Sequence, residues 1–142
     1  MALLQFQRDS VLRKVEGLSE ADARFTPVAS GTSMIWLVKH LSMAERIWVV
    51  HRFDGQPIDR VTSNRVEPDE TLASVVDLYR QTWELVDEIV ARAEGLDQLC
   101  TINEVDPPVN LRWVLGHLLE ETARHAGHVD ILRELLDGAT GR

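Results

Sequence analysis

Residues 111–138, LRWVLGHLLEETARHAGHVDILRELLDG, decide the class of the fold. Apolar residues recur from Leu111 to Leu136 at three- and four-residue spacing, the period of an α-helix rather than a strand. Asn110 can cap the start of this helix, and Gly138 can end it. With Glu121 set at zero on a helical wheel, Val114 and Leu132 fall near 20° and Leu118 and Leu136 near 60°, at about 100° per residue. His125 falls near 40° and His128 near −20° by the same geometry. Glu121 and His125 are thus expected in the middle of the core-facing stripe. Glu120, Ala123, Gly127, Asp130 and Glu134 are expected on the wet side.

Working outward, three more helical patterns appear and no strand. The first runs from Leu3 to Glu16 and stops at Gly17; a short turn capped by Ser19 follows. The second runs from Ser33 to Arg52 with Trp36, Leu37, His40, Leu41, Ala44, Ile47 and Trp48 as its stripe, and Lys39, Ser42 and Arg46 opposite. The third starts at Asp69 or Glu70, ends at Gly95, and carries Leu72, Val75, Val76, Tyr79, Trp83 and Val86 on its stripe. Four helices, each with one apolar stripe to bury, give an all-α four-helix bundle, expected as a single domain over 1–142. The Gly- and Pro-containing connection over 53–70 is long enough to cross the end of a bundle, so a crossover is expected between the second and third helices.

Composition excludes several functions. Hydrophobic residues make up 44% and charged residues 27%, the balance of a globular chain. A net charge of −8 repels phosphate backbones, so nucleic acid is not the expected partner. No apolar run approaches the roughly 20 residues of a membrane span, and the N-terminus lacks the order of a secretion signal. The lone Cys100 cannot form an internal disulfide and sits among acidic neighbours, so it reads as apolar filler in a reducing, cytoplasmic setting. Four tryptophans (36, 48, 83 and 113) are many for a small bundle; most read as core, and some are available to a homodimer surface.

A carboxylate on a core face is costly unless it is paired or bound to a metal. Glu121 and His125 are four residues apart, so their side chains leave the helix together and can grip one ion. His40 on the second helix offers a third ligand. Two histidines and one carboxylate would leave coordination positions open, as in a catalytic zinc site, and suit nickel or iron as well. His51 is eleven residues from His40, about 16 Å along a helix, too far to hold the same ion. His117, four residues before Glu121, competes with His125 as its partner. His128, the catalytic candidate, is a fourth ligand, a residue supporting the ligands or a proton carrier; a supporting or pocket role is preferred, because three residues on from His125 it points slightly aside.

The stretches SGTSMIWLVKHLSMAERIW (30–48) and LRWVLGHLLEETARHAGHVDILRELLDG (111–138) resemble the DinB-like superfamily, and within it the subgroup related to mycothiol-dependent maleylpyruvate isomerase. That resemblance implies an up-down-down-up bundle and a divalent ion, zinc or nickel in many members. It implies one ligand on the second helix, matching His40, and two ligands four apart on the fourth, matching Glu121 and His125, which resolves the competition with His117. It further implies a low-molecular-weight thiol, such as mycothiol, that attacks a small electrophile. The leading expectation is therefore a metal-dependent thiol S-transferase acting on a small-molecule substrate. A hydrolase using metal-bound water and a non-catalytic metal-binding bundle are the competing expectations.

Overall fold

The computed structural model describes residues 1–58, 65–104 and 106–140. Its elements are α1 (Ala2–Val15), the short α2 (Glu20–Ala23), α3 (Met34–Glu45) continued by a π-helical segment (Arg46–Phe53), α4 (Leu72–Ala91) and α5 (Leu111–Asp137). No strand occurs among the described residues; Leu99 and Asn110 form an isolated bridge. α1 packs on α5, and α3 packs on both α4 and α5, an all-helical arrangement compatible with a four-helix bundle. The middle of the connection expected to cross the bundle lies outside the described residues.

The helix ends follow local chemistry. Ser33 accepts from the Trp36 backbone N–H, and Asn110 accepts from that of Trp113. Gly138 closes α5 with φ 77°, a left-handed conformation that glycine adopts without a Cβ penalty. The start of α4 differs from the sequence expectation by two to three residues. Thr71 and Ser74 form a capping box, and Glu70 is drawn out of the helix by Lys39. α4 also ends at Ala91, before Gly95.

α3 departs most from its sequence pattern. Lys39 and Ser42, expected on an outward side, are buried at 2% and 0% exposure. The reason is position: α1, α4 and α5 all contact α3, which leaves it almost no wet face. Each polar group is satisfied there. Lys39 Nζ donates to Glu70 Oε1 and Oε2 at 2.7 and 2.6 Å and to the Arg65 carbonyl at 2.7 Å. Ser42 and Thr82 share a hydrogen bond of 2.9 Å. At the end of α3, Glu45 meets Arg8 of α1 through bonds of 2.9 and 2.5 Å, both side chains fully enclosed. Burial pushes the Glu45 carboxyl upward, more than the bonds and charge of Arg8 pull it down.

The π-helical segment replaces the regular helix expected up to Arg52. Its wider turn changes which residues face inward. Val49, Val50 and Phe53 are buried, while Ile47 and Trp48 become half-buried. The least covered line of α3 and its continuation is Trp36, His40, Ala44 and Trp48, each half-buried. Only Trp113 among the tryptophans is exposed, at 44%; Trp83 is half-buried beside Tyr79.

Candidate metal centre

α5 supplies the other side of this half-open edge. Its buried residues are Leu111, Val114, Leu118, Thr122, Ala126, Val129 and Leu132. Thr122 and Ala126, not Glu121 and His125, therefore form the middle of the stripe. α1 lies along that side of α5, with Lys14 Nζ 3.0 Å from Asp130 and Arg133 Nη1 donating to the Lys14 carbonyl at 2.8 Å. Packing by α1 draws the centre of the stripe round, and Glu121 and His125 end on its shoulder against α3.

There they meet His40. The Nε2 atoms of His40 and His125 lie 2.9 and 3.0 Å from the same carboxylate oxygen, Glu121 Oε1. One ligand atom from each of the three residues lies within 4.8 Å of the others. The rings of His40 and His125 contact edge to face at 4.7 Å, and Trp36 stacks on His40 at 5.0 Å with an interplanar angle of 15°. Trp36 precedes His40 by one helical turn, so this support was present in the sequence as an i,i+4 pair but was read there only as core. The side chains of His40, Glu121 and His125 keep 20%, 21% and 12% exposure, so the cluster is shielded and still reachable.

The electrostatics favour a liganding set. Burial pushes the Glu121 carboxyl upward, but the hydrogen bond from His40 and the charge and hydrogen bond of His125 outweigh it and hold the carboxyl below its ordinary value. Burial lowers the His125 pKa; Glu121 opposes this, and the neighbouring His40 and His128 add to it. Glu121 therefore stays ionised and His125 neutral at pH 7, the protonation states a metal requires. Two ligand atoms on an ion with bonds of about 2.0–2.2 Å stand about 3.4 Å apart, within roughly 0.5 Å of the two Nε2–Oε1 separations of 2.9 and 3.0 Å. The residues present fit the group.

The remaining sequence candidates separate cleanly. His128 is exposed, and its Nδ1 sits 3.1 Å from His125 Nδ1, the nitrogen that does not face Glu121. His117 turns to the aromatic rings instead: it stacks on Trp113 at 5.2 Å and meets Trp48 edge-on at 4.7 Å. His51 bonds the Gln56 carbonyl at 3.0 Å, at the end of its helix. Cys100 is buried, and that burial raises its pKa, which leaves it a thiol.

Comparison with known proteins adds the family. The mycothiol-S-transferase family matches residues 1–138. The chain belongs to the mycothiol S-transferase family. This is a DinB-like family, in agreement with the resemblance carried by the two helical stretches. A crystal structure of a conserved protein from Enterococcus faecalis superposes with a TM-score of 0.70, covering 97% of this chain and 95% of that one. At 14% identity it shares the fold alone. No curated protein matches the chain. None of the helices among the described residues is long and apolar enough to cross a membrane.

Proposed function

We propose that the chain is a metal-dependent S-transferase, in which His40, Glu121 and His125 hold a divalent ion and a low-molecular-weight thiol of the mycothiol type attacks a small electrophile. Zinc is the first candidate ion, with nickel and iron accepted by the same ligand set. The observation that carries the reading is the convergence of two Nε2 atoms on Oε1 of the partly exposed Glu121 side chain, within a chain of the mycothiol S-transferase family. The bundle order that goes with it is up-down-down-up, and a cytoplasmic thiol pool is its natural setting.

Such an ion, when bound, lowers a thiol's pKa so that the thiolate exists at neutral pH. The chain's own residues do the rest. Glu121 contributes one negative charge, so a divalent cation keeps one positive charge to attract a thiolate. Trp36 holds the plane of His40 by stacking on it. With an ion bound, His125 would turn its Nε2 lone pair to the ion and keep its proton on Nδ1, which lies 3.1 Å from His128 Nδ1. His128 then holds its own proton on Nε2 and acts as positioning residue and proton carrier for His125. In the overall transfer, the thiol sulfur forms a bond to the electrophilic carbon, the leaving group departs with its electron pair, and the thiol proton passes to solvent.

The test is metal content and thiol consumption of the purified protein. Stoichiometric metal in the wild type, lost in His40→Ala and Glu121→Ala, with mycothiol conjugated to 1-chloro-2,4-dinitrobenzene, is the expected result. Metal retained by both variants would overturn the ligand assignment. Ester or amide cleavage without thiol conjugation would overturn the transfer.

A further inference from the structure

Beyond the metal cluster, a concavity of about 380 Å³ lies between the segment leading into α3 and the last turns of α5. Val28, Ser30, Thr32, His128, Ile131 and Leu132 line it. Three features set it apart from a surface dimple. Its walls are apolar where most exposed: Val28 is 40% and Ile131 58% open to solvent. Its polar groups bond one another or the cluster: the hydroxyls of Ser30 and Thr32 share a bond of 2.9 Å, and His128 Nδ1 meets His125. One of its walls, His128, has its ring centroid 5.1 Å from the ring of His125. His128 is therefore both a wall of the concavity and a neighbour of the cluster's outer edge at His125.

No lysine, arginine, aspartate or glutamate lines it. An anionic substrate would find no lysine or arginine there to replace its hydration, inside a chain of net charge −8. An uncharged apolar group loses little water and covers Val28, Ile131 and Leu132. The volume falls within the range of small-molecule sites. At the other end of the α5 line, one turn before Glu121, His117 is packed between Trp113 and Trp48, so rings already fill that side.

We infer that this concavity is the electrophile's site, and that it selects small, uncharged, apolar electrophiles, aromatic rings foremost, over carboxylated ones. The inference rests on the S-transferase reading and names its acceptor. With a chlorinated ring, the thiol sulfur bonds to the ring carbon, the carbon–chlorine bond breaks, chloride leaves with the electron pair, and the thiol proton goes to solvent.

The experiment compares two electrophiles of the same ring pattern that differ by one charge, methyl 4-chloro-3,5-dinitrobenzoate and 4-chloro-3,5-dinitrobenzoate, each corrected for its uncatalysed rate with the same thiol. The neutral compound is expected to be preferred by about tenfold or more in kcat/KM. Ile131→Asp is expected to raise KM for the neutral compound about tenfold, leaving the thiol KM and the metal content unchanged, and Ile131→Lys to narrow the preference. Equal use of both compounds, or no effect of either substitution, overturns the inference. A second readout needs no turnover: the unreactive 1,3-dinitrobenzene is titrated into metal-loaded, ¹⁵N-labelled protein. Amide shifts centred on residues 28–32 and 128–132 support the site, even where no thiol is transferred, in which case the S-transferase reading alone falls. Shifts centred elsewhere, or none, overturn the site.

Discussion

Replacing Glu121 by Gln keeps the side chain's shape and removes its charge, which isolates the carboxylate's part in metal binding. The amide offers one neutral oxygen where the carboxylate offered Oε1, on which the Nε2 atoms of His40 and His125 converge at 2.9 and 3.0 Å. If a metal binds the folded state alone, excess metal at 100 Kd adds about 2.7 kcal/mol of stability, and at 1,000 Kd about 4.1 kcal/mol. For 142 residues the unfolding entropy is about 0.3 kcal/mol/K, so these gains raise Tm by about 9 and 14 °C. The wild type is therefore expected to lose roughly 9–14 °C when a chelator strips the ion, and to regain it on adding zinc. Glu121→Gln is expected to unfold at nearly the same temperature with and without zinc. Differential scanning calorimetry on both proteins, with metal content measured on the same samples, makes the comparison. A zinc-dependent shift of equal size in wild type and variant would place the ion elsewhere and refute the reasoning; so would the absence of any shift in the wild type.

His128→Ala is expected to weaken metal affinity about 10–100-fold without abolishing it, because only the hydrogen bond at His125 Nδ1 is lost; chelator competition measures it. Arg8→Met leaves Glu45 buried without its partner and is expected to cost about 3–5 kcal/mol, while adding Glu45→Leu to it is expected to recover much of the loss; urea unfolding of both proteins decides. In metal-free protein, the stability that Glu121 and His125 contribute is expected to fall as pH drops from 7 toward 4; it is read as the difference between wild type and Glu121→Gln, because the raised pKa of Glu45 acts in the opposite direction in both proteins. Glu121's folded pKa lies below its unfolded value, so its contribution is present above the unfolded pKa and lost as pH falls through the folded one. His125's lowered pKa acts in the same direction below the ordinary imidazole value, and thermal unfolding across that window checks the sign.

That Glu121 pairs with a histidine one turn away was legible because it is local, four residues on any α-helix bringing two side chains together; His117 fits that spacing as well as His125, and the family resemblance chose between them. The cap at Asn110 and the stop at Gly138 were legible for the same reason, since each depends on one residue and its near neighbours. That these helices each bury an apolar face, and that the chain is all-helical, also followed from periodicity alone. The direction each face takes did not. Thr122 and Ala126 took the centre of the α5 stripe because α1 packs along that side, and a wheel contains no α1.

His40 was already a candidate third ligand from its stripe and from the family resemblance; the tertiary structure set it against Glu121, a contact across 81 positions of the chain. It alone buried Lys39 against Glu70 and Arg8 against Glu45, pairs whose members lie on different elements and which no spacing announces. It widened the end of α3 into a π-helix, set His117 among the tryptophans and turned His128 to the outer nitrogen of His125. Local sequence settles helix periods and caps, because those energies act within a turn or two. Which faces meet, and which charges then need a partner, depends on packing among elements far apart in the chain.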